Sequence, residues 1–577
     1  MIKTKVIAIL IISLAALGCL TGCTSMSAKE RRQGAFEYRD IYLPKYNEKE
    51  NSKFDLNTID KDWAIWGHNL GQMMPDYAKK QIYAKVNGVI NAEQFCFSSE
   101  KLYDYIVEYI EHQYPFVGGK RFAILPNDNE IVCLCSACRR LGNEPGNASP
   151  AVLHLIEKLA EQFPQHEFYT SHYNTTNHLP DKQMAPNTGV LVSAIHYPLS
   201  AAETTKEMEF LTLLNRWSEK ASKIYVWDYI QNYDDYFTPF PVLTVAQRRL
   251  KLYRDAGVSG VFLNGSGSDY STFYQLNKAV LSQLLIDPDQ DWEELLRQYA
   301  DEYFPTAGKD IADFMIRQEK MVQDNGKVLP FYDGVSTALK RYLPEKEFID
   351  FYGRLLGHLE DATGDERHQL ERLTGAMALT MLEIKRINDD LSDTEPLKAR
   401  LENLMNDENP ITYYNEGCWS IQRYLDNYTA MENDARSTEQ TNLLHGITLN
   451  RRTALDEDYE DIDILTDGLL GIPSNYHNGL LITSADPSFS IGIPRVPGMK
   501  KLRVWMVQNS GFKIGLPTEV YLTVGGMKLG RQEPPKPTAG PGHSYVDFDI
   551  PPSGEIILTL VKDPEVKTMA LEEVQAF

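Results

Sequence analysis

The sequence predicts an α/β protein with a (β/α)8 TIM barrel, followed by a helical segment and a C-terminal β-sandwich. Three observations support this fold class. Short apolar segments recur eight times over about 250 residues, and helix-like stretches separate most of them. Past residue 287 the strand signals nearly disappear and helical periodicity takes over. From about residue 444 short strands and turns return.

The barrel is predicted to span residues 34–286. Its candidate strands are the short apolar segments at 36–43, 63–66, 94–97, 121–125, 167–173, 189–197, 223–229 and 260–265. Helices are predicted at 99–114, 149–163, 202–222 and 244–256. The alternative fold is an open doubly wound sheet, but the sequence contains no glycine-rich dinucleotide fingerprint that would favour it.

The remaining chain divides into a helical region at 287–435 and a β-rich region at 436–577. The predicted helices lie at 291–304, 309–324, 345–363 and 366–389. In the last region, alternating segments at 489–493, 502–505 and 519–524 follow the turn Thr466-Asp467-Gly468. This pattern resembles a jelly-roll β-sandwich of the galactose-binding type.

The first residues predict a lipoprotein signal peptide at 1–22. Two lysines precede an apolar run at 6–17, which is too short for a spanning helix. Small residues then precede Cys23, as lipoprotein signal peptidases require, while a weaker box ends at Cys19. The alternative is an ordinary secretory signal with incidental cysteines.

Lipidation at Cys23 implies an exported, membrane-anchored protein. Residues 23–33 would form a short tether between the lipid and the barrel. The protein would then lie at the periplasmic face of a membrane or at the cell surface.

Charge narrows the range of partners. With 58 basic and 80 acidic residues, the chain has a net charge of −22. Nucleic acids and anionic lipid headgroups need basic patches, so neither is expected as a partner. The 32 tyrosines and seven tryptophans suit either core packing or contact with the C–H faces of sugars.

Polar residues follow six of the eight predicted strands. In a (β/α)8 barrel the C-terminal ends of the strands carry the active site, so these side chains should meet at one mouth. The candidate ligand-binding residues are His68, Asn69, Asn127, His172, Tyr173, His196, Trp227, Tyr229 and Asn264.

Two carboxylates stand out at this mouth. Asp128 follows the fourth predicted strand and Asp228 the seventh, so they could flank a glycosidic bond. Asp128 would be the general acid, and Asp228 the nucleophile, base or charge stabiliser. Alternatively, Asp128 caps a loop and Asp228 is a buried partner of a tyrosine or histidine.

Other carboxylates and a substrate group are rivals for these roles. Asp234, Asp235 and Asp269 lie on loops over the same mouth. If the sugar carries an N-acetyl group, its carbonyl could be the nucleophile, which leaves Asp228 to orient it.

Several motifs together resemble one known family. They are Trp66-Gly67-His68-Asn69, Phe95-Cys96-Phe97-Ser98-Ser99, Pro126-Asn127-Asp128, Cys133-x-Cys135-x-x-Cys138 and Trp227-Asp228-Tyr229. The chain over about residues 34–305 is similar to an uncharacterised bacterial domain-of-unknown-function family of exported proteins. Its barrel resembles those of α-glucuronidases and β-hexosaminidases. The resemblance implies a glycoside hydrolase acting on polysaccharide or glycan fragments; the alternative is a non-catalytic glycan-binding lipoprotein.

Four cysteines form a separate candidate site. Cys96, Cys133, Cys135 and Cys138 lie near two adjacent predicted strands and could hold a structural zinc ion. An oxidising compartment favours disulfides instead, although the segment between Cys133 and Cys135 is too short for an easy one. No cofactor is expected to be required for catalysis.

Overall fold

A computed structural model describes residues 34–115, 119–388, 390–437, 442–455, 462–473, 480–483, 486–537, 540–566 and 568–577. The predicted signal peptide at 1–22, the lipidation site Cys23 and the tether at 23–33 lie outside the described residues.

The first part of the chain forms a parallel sheet and one antiparallel hairpin. Its strands are β1 (Tyr38–Tyr42), β2 (Trp63–Ile65), β3 (Tyr83–Val86), β4 (Val89–Phe95), β5 (Arg121–Ala123), β6 (Glu167–His172), β7 (Thr188–Ser193), β8 (Lys223–Tyr229) and β9 (Gly260–Asn264). Seven of them make one sheet in the order β1-β9-β8-β7-β6-β5-β2. All six of its strand pairs are parallel.

The sheet curls until its two edge strands approach each other. The rings of Tyr38 on β1 and Trp63 on β2 meet edge to face, with their centroids 6.1 Å apart. At this seam the backbone N–H of Asn57 donates to the carbonyl of Arg39 (2.7 Å), and its side-chain oxygen accepts from the Arg39 N–H (3.0 Å). Asn57, in the segment that precedes β2, is thus tied to β1, although no described strand pair joins β1 to β2.

The prediction of eight barrel strands is wrong at the third segment. Residues 94–97 do not enter the parallel sheet: β4 pairs antiparallel with β3, and β2 pairs directly with β5. The cause is the dipeptide Asn87-Gly88, whose φ values of 50° and 82° form the tight turn of a hairpin. An Asn-Gly pair between apolar segments is a strong local hairpin signal.

Helices cover the outer face of the curled sheet. They are α1 (Glu48–Lys53), α2 (Ile59–Asp62), α3 (Asp76–Lys79), α4 (Glu100–Gln113), α5 (Ser136–Leu141), α6 (Ser149–Gln162), α7 (Thr205–Ser218), α8 (Leu243–Asp255) and α9 (Tyr274–Ile286). The four predicted helices of this region are confirmed as α4, α6, α7 and α8. Thr204 and Glu207 start α7 with a reciprocal capping box.

The helical region packs onto the sheet unit. Its helices are α10 (Trp292–Tyr303), α11 (Gly308–Asn325), α12 (Val335–Arg341), α13 (Glu345–Asp361), α14 (Gly364–Ile387), α15 (Glu395–Asn403) and α16 (Ile421–Ser437). The buried carboxylate of Glu319 on α11 accepts the backbone N–H groups of Leu243 (2.7 Å) and Thr244 (3.0 Å) at the start of α8. The two regions share one continuous hydrophobic core. In the described part of the chain, every helix falls short of the length and apolarity that crossing a membrane requires.

The C-terminal region forms two antiparallel sheets. Its strands are β10 (Asn450–Arg451), β11 (Leu481–Thr483), β12 (Ser488–Ile493), β13 (Lys501–Gln508), β14 (Glu519–Val524), β15 (Met527–Gln532), β16 (Gly542–Asp549), β17 (Ile556–Val561) and β18 (Met569–Ala576). The sheet orders are β10-β12-β17-β14-β15 and β11-β18-β13-β16. Side chains from both sheets build one core, separate from that of the first two regions.

Candidate functional site

Two tryptophans form the floor of the mouth at the C-terminal edge of the curled sheet. Trp66, just after β2, stacks on Trp227 of β8 with ring centroids 4.9 Å apart and planes inclined by 17°. Phe262 of β9 contacts both rings from the side. The indole N–H of Trp227 is buried and has no hydrogen-bond partner among the described residues.

A left-handed turn after β2 fixes the next two predicted site residues. Gly67 has φ +59°, and a Cβ there would lie 3.7 Å from the Trp227 ring. The turn directs His68 to the loop after β5, where its Nδ1 donates to the Pro126 carbonyl (2.6 Å). In the neutral ring this bond makes Nε2 the acceptor nitrogen. Asn69 is exposed and donates to the carbonyl of Trp66 (2.8 Å), which closes the turn.

The hairpin holds the loop that carries Asp128. Gln94 of β4 is 1% exposed. Its amide donates to the Asn127 carbonyl (3.1 Å) and to Oδ1 of Asn129 (3.0 Å), and its oxygen accepts from the Asn127 N–H (3.0 Å). The Asn127 side chain donates to the carbonyl of Glu93 (2.8 Å). Asn127 therefore holds the loop in place through its hydrogen bonds to the hairpin. The exposed Asp128 side chain, which lies between Asn127 and Asn129, is directed to the mouth.

Asp128 lies near Tyr173 at the mouth. Burial together with the Asp128 charge raises the pKa of Tyr173 to about 12. The Tyr173 ring lies 6.4 Å from His196, nearly parallel to it, and 5.9 Å from His68. The structure thus brings Asp128, Tyr173, His196 and His68 together, as the sequence predicted.

Asp228 points away from the mouth. Its side chain is 2% exposed and lies between the sheet and α8, where it forms an ion pair with Arg249. The second carboxylate oxygen accepts from the Tyr253 hydroxyl (2.6 Å). This geometry contradicts the prediction that Asp228 is a catalytic carboxylate, because neither oxygen is free to reach a substrate. It matches the alternative of a buried partner, with arginine as the main one.

Strand alternation explains the error. Side chains of successive strand residues point to opposite faces of a sheet. Trp227 and Tyr229 both face the interior, so Asp228 between them must face the helices. The Tyr229 hydroxyl lies 3.2 Å from Ser193 Oγ near the mouth, and burial raises its pKa.

The same rule separates His172 from Tyr173. The His172 ring packs edge to face on Trp217 of α7 at 5.9 Å, and burial lowers its pKa to about 4. One edge of the ring still lines a cavity of about 560 Å³ beside the mouth, together with Tyr173, Ser193 and His196. At the end of β9, the half-buried Asn264 accepts the Tyr233 hydroxyl on its carbonyl (2.7 Å).

A carboxylate that sequence reasoning missed reaches the mouth from the helical region. Glu416 is exposed in the loop before α16, and its N–H donates to the carbonyl of Tyr233 (2.9 Å). Its Oε2 accepts from the Tyr332 hydroxyl (3.1 Å). Partial desolvation raises the pKa of Glu416, and the charges of Asp234 and Asp128 raise it further. No local pattern marks Glu416, because its proximity to Asp128 arises from the packing of two regions.

The rival aspartates differ in exposure. Asp235 is buried and accepts the N–H groups of Phe237 (2.8 Å) and Thr238 (3.1 Å), so it caps a turn. Asp269 is half-buried, and desolvation raises its pKa.

The four predicted cysteines come together behind the loop that carries Asp128. Their sulfur atoms all lie within 4.8 Å of one another, and each is a free thiol. This donor set could hold a metal ion.

Comparison with known proteins gives a family and two distant structural likenesses. No curated protein matches the chain. One similar structure is BtGH115A, a family GH115 4-O-methyl-α-glucuronidase with specificity for decorated arabinogalactans. The two sequences are 10% identical and the TM-score is 0.34; the match covers 83% of this chain and 66% of that chain. Another similar structure is the K2 cleaved adhesin domain of Lys-gingipain. It is 12% identical with a TM-score of 0.13, and the match covers 24% of this chain and 94% of that chain. A family model matches residues 23–316, more than half of the chain, so the protein belongs to the DUF4838 family, a domain of unknown function.

Proposed function

We propose that the protein is a glycoside hydrolase acting on polysaccharide or glycan fragments at the mouth of the curled sheet. One observation carries the proposal: the exposed Asp128 carboxylate lies beside Tyr173 at a mouth whose floor is the Trp66–Trp227 stack. Aromatic faces bind the C–H faces of sugars, and a carboxyl group beside them can act on the glycosidic oxygen.

Asp128 keeps the role of general acid. A second group must attack the sugar, activate water or stabilise the cation. Glu416 takes the place first given to Asp228, because it is exposed at the same mouth and its pKa responds to the Asp128 charge. The direction of this pKa shift, upward, is the one that a carboxyl acting as an acid–base group requires.

The remaining mouth residues would bind and orient the sugar. In the neutral form of His68, whose Nδ1 donates to the Pro126 carbonyl, Nε2 can accept from a sugar hydroxyl. Tyr173 and His196 present ring faces beside the cavity of about 560 Å³. This volume is in the range of small-molecule binding pockets.

A second candidate function is non-catalytic glycan binding. It is favoured by the ion pair of Asp228 with Arg249, which removes the carboxylate that the barrel itself offers opposite Asp128. In that case the mouth binds a glycan and Glu416 serves only as a hydrogen-bond acceptor.

A screen on aryl glycosides and uronides, paired with calorimetric titration of oligosaccharides, separates the two functions. If the protein is a hydrolase, it should turn over at least one substrate. Asp128→Asn should abolish this turnover while the substrate still binds. Binding without turnover by the unaltered protein would favour the second candidate. Neither turnover nor binding across the screen would remove both.

Export, anchoring and the C-terminal fold complete the proposal. We propose that Cys23 is lipidated, which is supported by the small residues that precede it after a short apolar run. We also propose that residues 436–577 form a galactose-binding-like β-sandwich, which is supported by the two sheets that share one core. Labelling with a fatty-acid analogue tests the anchor: the label should be lost in Cys23→Ser and kept in Cys418→Ser.

A further inference from the structure

We propose that Cys96, Cys133, Cys135 and Cys138 bind one structural zinc ion. The site lies behind the mouth loop and takes no part in the proposed chemistry, so it stands whether or not the protein cleaves glycans.

The spacing of the sulfur atoms matches a tetrahedral zinc site. Zn–S bonds of about 2.3 Å at tetrahedral angles place neighbouring sulfurs about 3.8 Å apart. The Cys96 sulfur lies 3.7 Å from that of Cys135 and 3.8 Å from that of Cys138. All four sulfurs fall within 4.8 Å of one another, so a single ion can contact every one.

The backbone around the cluster favours thiolates. The N–H of Lys85 donates to the Cys133 sulfur (3.3 Å), and the N–H of Cys138 donates to the Cys135 sulfur (3.4 Å). Hydrogen bonds to the charged form stabilise it, and zinc binds the deprotonated sulfur. Ser98 Oγ, 3.0 Å from the Cys138 sulfur, lies in hydrogen-bond range of the same set.

Other uses of four cysteines fit less well. A disulfide requires sulfurs about 2.0 Å apart and joins two cysteines, so engaging all four would take two separate bonds, whereas the four sulfurs here converge as free thiols. Cys133 and Cys135 are separated by one residue, and the other sulfurs converge on the same point. An iron–sulfur cluster would hold its cysteines farther apart, because several iron atoms lie between them. Soft thiolates in a compact tetrahedron suit a single zinc ion.

The ion would join two segments that are distant in sequence. Cys96 follows β4, whereas Cys133 to Cys138 lie between β5 and the middle of α5. The carbonyl of Lys85 on β3 also accepts the N–H of Leu134 (2.8 Å), so the hairpin and the cysteine loop already run side by side. Zinc would clamp the hairpin whose Gln94 holds the Asp128 loop.

Metal analysis of the full chain, purified in detergent without added zinc or reductant, tests the proposal. We expect one zinc per chain, near-complete loss of zinc in Cys135→Ser and Cys138→Ser, and retention in Cys418→Ser, which alters an exposed cysteine outside the cluster. Cobalt substitution should give the absorption bands of a tetrahedral thiolate site, and a mercurial that titrates the unaltered chain should release the zinc.

The release experiment keeps the proposal testable if the cysteine variants fail to fold. Zinc near zero in the unaltered chain, with cluster cysteines found in disulfides by peptide mapping, would overturn the proposal. Zinc that persists in both cluster variants would overturn it as well.

Discussion

Arg249 and Asp228 form a buried ion pair between the curled sheet and α8. The guanidinium also donates to the carbonyls of Tyr197 (2.7 Å) and Pro198 (2.9 Å), in the loop that carries His196. Because the Tyr253 hydroxyl satisfies the other carboxylate oxygen, the pair is fully hydrogen-bonded. Asp228 therefore orients Arg249, which in turn holds the loop that carries His196 at the mouth.

Asp228→Ala should destabilise the protein. Removing one partner of a buried ion pair leaves the other charge unpaired and costs about 3–5 kcal/mol. Denaturant unfolding measures the change, with Arg254→Met as the control, because Arg254 on the same helix pairs with Asp289 at the surface. An Asp228→Ala protein as stable as the control would show that the pair contributes little.

Asp128→Asn and Glu416→Gln should each reduce turnover by about 10²–10⁴-fold if the two groups act in acid–base catalysis. Both side chains lie at the mouth and neither supports the core, so the thermal midpoint should stay close to that of the unaltered protein. Steady-state rates on whichever glycoside the screen identifies provide the measurement.

Glu93→Gln is the matched control for these two variants, because it changes an exposed carboxyl on the hairpin beside the mouth. Full activity in Asp128→Asn would contradict the assignment of the acid. Full activity in Glu416→Gln alone would redirect the second role to a substrate group or to Asp234.

Gln94→Ala should loosen the Asp128 loop. The change leaves the part-buried N–H of Asn127 without its acceptor, at a cost of about 1 kcal/mol. Hydrogen exchange should speed up at residues 127–131, and ligand affinity should fall. Glu93→Ala leaves the carbonyl of residue 93 in place and should change neither; equal exchange in the two variants would mean that Gln94 does not hold the loop.

Asp40 should make stability depend on pH. It is buried on β1, where desolvation raises its pKa from 3.8 to about 7, although the Tyr38 and Tyr46 hydroxyls each donate to its Oδ2 at 2.8 Å. The folded state thus binds a proton more tightly than the unfolded state. The protonated Asp40 carboxyl therefore adds up to roughly 4 kcal/mol to the free energy of unfolding. This contribution is complete below about pH 4 and is lost as the pH rises through 7.

The measurement is the free energy of unfolding between pH 4 and 8 for the unaltered protein and for Asp40→Asn. The decline attributable to this group should be absent from the variant. The buried carboxyl of Glu319 on α11 has its pKa raised to about 7 by the same cause, so part of the decline should remain. Identical pH profiles in both proteins would contradict the role of Asp40.

Local sequence patterns specified most elements of the sheet unit. Seven of the eight apolar segments became parallel strands, since each buries both faces between the interior and the helices. The remaining segment, residues 94–97, was predicted as a barrel strand although Asn87-Gly88 indicates a hairpin before it. The orientation of Asp228 was also readable, because period-2 alternation with Trp227 and Tyr229 assigns it to the helix side.

The sequence by itself determined which polar residues follow the strands, and so it placed His68, Asp128, Tyr173 and His196 at one edge, because parallel strands end together. Only the tertiary structure decided that Glu416 lies near enough for the Asp128 charge to raise its pKa, and that Gln94 anchors the Asp128 loop. Those contacts join segments tens to hundreds of residues apart, and their geometry depends on how the helices and the hairpin pack, which no local pattern encodes.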